Sequence, residues 1–261
     1  MKMHFDPGVE VGWTNEPLGF QYGKGVFGPA VEYRSLESIR RSLLDPDCTG
    51  PDPVYAIAMD LGKEKHREIL GAKHLLFGVV TYAAGTLGRE AVRSQGHIHR
   101  RARGNKLVSP EIYEIWAGRA CILLQENVDD TPGICYAVEA NQGDVVIVPP
   151  GWAHAAISTD THRNLTLCAL CDRDYAFDYD SVRARGGLAW FPVIGDDGEI
   201  DWFPNSRYGK SELQRKKPGD YSQFGVLPGK SLYATFETNP DIFSYVSDPD
   251  SFTDLWTRFV P

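Results

Sequence analysis

Between Val54 and Cys171 the chain passes through seven short apolar runs, each closed by a turn residue or a charge. They are Val54–Leu61, His74–Gly85, Glu111–Gly118, Ala120–Gln125, Ile134–Ala140, Asp144–Pro150 and Asn164–Cys171. Runs of this length, rich in Val, Ile, Thr and Tyr and separated by turn signals, read as strands of a sandwich or barrel. The 26 glycines and 17 prolines supply the turns. The expected fold class is therefore all-β.

Helices are few. Ser35 can cap a segment whose Leu36, Ile39, Leu43 and Leu44 share one helical face, and Asp45-Pro46 stops it. Asp248, with Pro249 at the first helical position, opens a second segment carrying Phe252, Leu255, Trp256 and Phe259 at helical spacing. It reads as a short amphipathic helix docked on the body or on a partner subunit. A hairpin is expected over Trp190–Phe203 with Asp197-Gly198 at its turn. The polar stretch Ser206–Tyr221, with Lys210, Arg215, Lys216 and Lys217, reads as a solvated surface loop. This divides the chain into an N-terminal arm with a short helix (1–53), a core (54–180) and a C-terminal extension (181–261) packed on the core or on a dimer partner.

A chain of 261 residues with 42% hydrophobic content can bury a sizeable core. Its formal charge of -8 argues against nucleic-acid or membrane-surface partners, though not against a small anionic substrate met by a local basic patch. No apolar run reaches membrane-spanning length. The start, MKMHFDPGVE, has no signal-peptide core, and the expected location is the cytoplasm. Five cysteines at irregular spacing argue against a disulfide framework. Cys168 and Cys171 form a CxxC, but in a strand they face opposite sides.

The stretch GHIHRRARGNKLVSPEIYEIWAG (Gly96–Gly118) carries the chemistry. His97 and His99 are two residues apart, so in a strand they project from one face. A structural pair needs two separate hydrogen-bond partners, whereas one metal ion satisfies both. His4, His66, His74 and His162 read as structural or surface residues. His154 follows the turn Pro149-Pro150-Gly151, which can aim it back into a barrel.

The GHIH…E…G pattern together with GDVVIVPPGWAH resembles the two sequence motifs of the cupin superfamily. That resemblance implies a double-stranded β-helix, or jelly-roll barrel. It also implies a metal held by His97, His99, Glu111 and His154. Three imidazoles and a carboxylate suit Fe2+, Mn2+, Ni2+ or Zn2+ and leave two of six positions open. Eleven residues, Arg100 to Pro110, separate His99 from Glu111, where ordinary cupins have four or five, and Arg103 falls in the usual ligand region. Glu114 is the rival ligand, but Glu111 alone keeps the six-residue gap to Gly118, and Glu114 faces the other side of the strand.

SQGHIH, EIYEIWAG, LLQ and VVIVPPGWAH further resemble the cupin-type phosphoglucose isomerases. The similarity runs from about Tyr55 to Tyr179. It implies a metal-dependent enzyme interconverting glucose 6-phosphate and fructose 6-phosphate in glycolysis and gluconeogenesis, a homodimer, with Fe2+ as the favoured metal. Phosphate contacts fall on Thr81, Ser94, Gly96 and Tyr55, and catalytic roles on Glu111, Tyr113 and Tyr179. A cupin dioxygenase and a non-catalytic sugar-phosphate-binding cupin are the alternative readings.

Overall fold

The computed structural model describes residues 5–102, 104–174 and 176–261; His4 and Arg103 therefore lie outside the described residues. Two sheets face one another. The larger runs, in spatial order, Val145–Val148, Glu111–Ala117, Leu165–Asp172, Leu75–Tyr82, Tyr55–Lys63 and Val26–Phe27, with Glu32–Arg34 also pairing Tyr55–Lys63. The smaller runs Ala153–Ser158, Arg119–Gln125, Cys135–Asn141 and Leu213–Lys216. Pairing is antiparallel except between Cys135–Asn141 and Leu213–Lys216. All seven expected runs are strands, and the architecture is the expected jelly roll.

Strand alternation sorts the side chains into layers. Val80 and Tyr82, Tyr113 and Ile115, Leu167 and Ala169, and Ile122 and Leu124 fill the space between the sheets. The alternate positions, Phe77 and Val79, Ile112 and Trp116, Cys168 and Leu170, face outward from the larger sheet. They are buried all the same, because the C-terminal segment lies over them with Phe224, Leu232, Tyr233, Phe236, Phe243 and Tyr245. Phe236 and Phe243 are fully buried there, which stabilises the docking by about 1.5–3 kcal/mol each. The outward face of the smaller sheet is covered by Val182, Leu188, Trp190, Ile194, Ile200 and Trp202. The region after 181 thus splits into two covers, one for each sheet.

The local signals are realised in part. Ser35 Oγ accepts from Ser38 N at 3.2 Å and caps a helix, but only over Leu36–Ile39, before a 3-10 turn. The hairpin pairs Trp190–Ile194 with Ile200–Pro204. Asp248 caps the C-terminal segment, but this is a 3-10 turn, Pro249–Phe252, followed by a four-residue helix, Thr253–Trp256, docked on its own chain. The stretch read as a surface loop contains the edge strand Leu213–Lys216, and Arg215 and Lys217 both pair with Glu139, at 2.6 and 2.7 Å. Elements not anticipated include the hairpin Val11–Asn15/Leu18–Tyr22, the strand Ala153–Ser158 and the helices Arg67–Ala72 and Leu232–Thr238.

Candidate metal centre

His97 and His154 exchange backbone hydrogen bonds, His97 N to His154 O at 3.1 Å and His154 N to His97 O at 2.9 Å. This bridge follows from the turn at Pro150-Gly151, whose glycine has φ +81°, a conformation that other residues rarely adopt. His99 sits opposite Phe177 in a two-residue strand pair, and Glu111 opens the strand that pairs with Val145–Val148. Gly118 ends that strand at φ +86°, where a Cβ would meet Asn164 O at 2.8 Å. Three segments distant in sequence thereby bring four side chains together. One donor atom from each of His97, His99, Glu111 and His154 lies within 4.8 Å of every other, and all four residues are buried. The His97 and His99 rings are stacked, with centroids 5.2 Å apart, as neighbours on one strand face must be.

Glu111 Oε2 is the centre of the cluster. It lies 2.8 Å from His154 Nε2, 3.2 Å from His99 Nε2 and 3.8 Å from His97 Nε2, and accepts from Tyr113 Oη at 2.7 Å. Burial works against its charge, but the His154 and His99 imidazoles beside it outweigh that and hold the carboxyl well below the usual range. Burial, reinforced by the neighbouring imidazoles, pushes His97 well below its ordinary value, so its ring is neutral and can offer a lone pair. Burial and the Glu111 charge push Tyr113 well above its ordinary value and keep it a donor.

These residues fit a metal. His97 Nε2 and His99 Nε2 are buried without a hydrogen-bond partner; the 3.2 Å approach of His99 to Glu111 lacks hydrogen-bond geometry. Orphaned buried ring nitrogens are costly, and a cation satisfies both. His154 Nδ1 lies 3.1 Å from the Trp152 carbonyl, a contact that orients the ring and turns Nε2 toward the cluster.

Beside the cluster is a cavity of about 40 Å3 lined by Tyr55, Tyr82, Ser94, His97, Glu111, Tyr113, Phe177 and Tyr179, together with Ile57, Met59, Val80 and Ala169. Of the residues singled out by sequence, Tyr55, Ser94, Tyr113 and Tyr179 thus meet the ligand set. Thr81 does not: it is on the outward face, fully buried, with Oγ1 2.9 Å from Thr166 Oγ1. Its neighbours Val80 and Tyr82 face the cavity instead, which strand alternation from either one could have revealed. Gly96 lies just before the first ligand with its α-carbon against Leu188. Glu114 faces outward, accepting from Trp116 Nε1 and from Leu232 N, both at 2.8 Å. Cys168 and Cys171 are buried free thiols, pushed well above their usual value by burial. His66 bonds Tyr233 Oη at 3.0 Å, and His74 and His162 are exposed.

The loop Arg100–Pro110 is tied outward. Asp250 accepts from Lys106 N and Leu107 N at 2.7 Å each, and Ser247 O accepts from Asn105 Nδ2 at 3.0 Å. Among the described residues, no member of this loop lines the cavity.

Sheet topology and ligand cluster together define a metal-binding jelly roll of the cupin class. Residues 41–209 match the family model for glucose-6-phosphate isomerase (GPI), and the chain belongs to that family. It is 31% identical over 184 residues to the glucose-6-phosphate isomerase of Thermococcus kodakarensis, covering 67% of this chain and 86% of that one. The corresponding protein of Pyrococcus abyssi is 30% identical over 206 residues, 74% of this chain and 97% of that one. The chain spans only about half, 54%, of the curated relatives it matches in Rhizobium meliloti and Sinorhizobium medicae. Among solved structures, an oxalate oxidase chain is similar at 11% identity and a TM-score of 0.33, over 45% of this chain and 50% of that one.

Proposed function

We propose that this chain is a metal-dependent aldose–ketose isomerase that interconverts glucose 6-phosphate and fructose 6-phosphate. The observation that carries the reading is the buried His97–His99–Glu111–His154 cluster opening onto a tyrosine-lined cavity, in a chain of this family. His97, His99, Glu111 and His154 would hold the metal, with Fe2+ the expected ion and Mn2+, Ni2+ and Zn2+ the alternatives. When bound, a divalent cation supplies Lewis-acid stabilisation of negative charge on neighbouring oxygens.

The chain's own residues account for the rest. Isomerisation moves hydrogen between C1 and C2 of an open-chain sugar. Glu111 is ionised and sits beside the cavity, where a carboxylate can take a proton from one carbon and return it to the other. The Tyr113 hydroxyl orients Glu111 through its hydrogen bond and stays protonated throughout. Tyr55, Tyr82 and Ser94 offer hydroxyls along the cavity, and Phe177 and Tyr179 exclude water from one side.

The reading extends to a cytoplasmic homodimer acting in glycolysis and gluconeogenesis, with no nucleic-acid or membrane partner. The acidic balance supports the last point, and no described helix is long and apolar enough to cross a membrane. The test is NMR of metal-loaded protein with each sugar phosphate in turn. Both should reach one equilibrium mixture, and a chelator should stop the reaction. No turnover with Fe2+, Mn2+, Ni2+ and Zn2+ each restored would overturn the assignment.

A further inference from the structure

A dianionic substrate needs positive charge near its phosphate, and the basic loop Arg100–Pro110 does not line the cavity. Two arginines from elsewhere stand behind the cavity wall. Arg34 is the direct cross-strand partner of Tyr55. Opposed residues of an antiparallel pair project from the same face, so the Arg34 side chain lies alongside the inward-facing Tyr55 ring. Arg183, on the helix Asp180–Ala184, has its guanidinium carbon 5.3 Å from the centre of the Tyr179 ring. The charges of both arginines act on Tyr55, and Tyr55 and Tyr179 act on Arg34.

We infer that Arg34 and Arg183 form the seat for the substrate's phosphate group, against the Tyr55–Tyr179 wall. The inference deepens the isomerase reading and rests on it for the identity of the substrate. Both guanidiniums are partly exposed, at 30% and 27% of their side chains, so an anion entering from solvent can reach them. Each is held now by an exposed carboxylate, Arg34 by Glu32 at 3.0 Å and Arg183 by Asp180 at 3.5 Å. Such exposed pairs are weak, and a phosphate dianion can displace them. Arg183 Nε also donates to the buried Gln95 Oε1 at 2.9 Å, which anchors the guanidinium on the segment that carries Ser94 and Gly96. The planar guanidinium matches phosphate oxygens two at a time. Neither arginine lines the cavity itself; each stands against its Tyr55–Tyr179 wall, so the phosphate would sit at that wall with the open-chain sugar extending toward the His97–Glu111 side.

The experiment uses the full-length metal-loaded protein and inorganic phosphate as probe, with binding followed by calorimetry and turnover measured in parallel. Arg34→Met and Arg183→Met should each weaken phosphate binding by about tenfold or more, and raise KM for glucose 6-phosphate by a similar factor with a much smaller change in kcat. Arg34→Lys and Arg183→Lys should recover part of the loss. Arg258→Met, an exposed arginine of the C-terminal segment, serves as control, and circular dichroism and metal content confirm that each variant is folded and loaded. Equal phosphate binding by wild type and both Met variants, or no binding by wild type, would overturn the arginine seat while leaving the isomerase reading intact. Loss of phosphate binding in the variants, with no turnover by wild type, would do the reverse.

Discussion

His154 Nε2 stands 2.8 Å from Glu111 Oε2, while its other ring nitrogen faces the Trp152 carbonyl oxygen at 3.1 Å. A carbonyl oxygen only accepts, so Nδ1 donates to it and Nε2 is left directed at the carboxylate. A cation held at the cluster would take both Nε2 and the carboxylate as ligands. His154→Ala should therefore lose most of its bound metal, read by elemental analysis after gel filtration. Undiminished occupancy would take His154 out of the ligand set.

Glu111 has two separable duties. As a ligand only, Glu111→Gln would weaken metal binding and regain much of its rate at saturating metal. As ligand and base, the variant stays slow even when fully loaded, because an amide accepts no proton. The second outcome is expected, along with partial deuterium incorporation at C1 or C2 in heavy water. Complete retention of substrate hydrogen and a fully active loaded variant would favour a hydride shift.

Tyr113 reaches the reaction through Glu111. Removing its hydroxyl in Tyr113→Phe takes away the 2.7 Å hydrogen bond to Oε2 and frees the carboxylate to rotate. Loss of an outer partner of this kind costs about 10–100-fold. The drop should fall on kcat, with metal content preserved; a change confined to KM would mean that Tyr113 binds the sugar instead.

The four residues that cluster are legible in the sequence in two ways: His97 and His99 by their i, i+2 spacing, Glu111 and His154 by the resemblance to the cupin motifs. Spacing alone restricts only the pair and the proline-glycine turn before His154; eleven residues separate His99 from Glu111 and no local rule joins them. The strands were legible because their apolar runs are bounded by turn residues. What was hidden depends on which face of a strand looks inward when both faces are buried. Leu75–Tyr82 is buried along its whole length, so hydrophobicity does not distinguish the Thr81 face from the Val80 and Tyr82 face. The arginines were hidden because Arg34 and Arg183 reach the Tyr55–Tyr179 wall only through sheet pairing and helix docking. The strand Leu213–Lys216 was masked by its polarity, ordinary for an edge strand whose charges pair sideways with Glu139.

Glu114 couples stability to pH. Burial pushes its carboxyl from 4.5 up to about 7, against hydrogen bonds from Trp116 and Leu232. With the folded value above the unfolded one, its contribution is complete below pH 4.5 and disappears as pH rises through 7. The full span corresponds to about 3 kcal/mol. Urea midpoints should therefore fall between pH 5 and 8, with the docked C-terminal helix loosening first, since Leu232 opens it. Glu114→Gln should flatten that slope; an unchanged slope would assign it to other groups.

Thr81 separates a structural hydroxyl from a substrate contact. Its Oγ1 is 2.9 Å from Thr166 Oγ1, and both residues are fully buried on the outward face of the larger sheet. Thr81→Val keeps the shape but strands the Thr166 hydroxyl, which should cost about 1–3 kcal/mol. Replacing both threonines with valine removes donor and acceptor together, so the double variant should recover part of that loss. KM for glucose 6-phosphate should not move in either protein, because the side chain never reaches the cavity. Ser94→Ala provides the contrast: its hydroxyl lines the cavity and accepts from Ala156 N at 3.1 Å, so KM should rise. A raised KM in Thr81→Val with unchanged stability would return Thr81 to the phosphate site and require its strand to turn over when substrate binds.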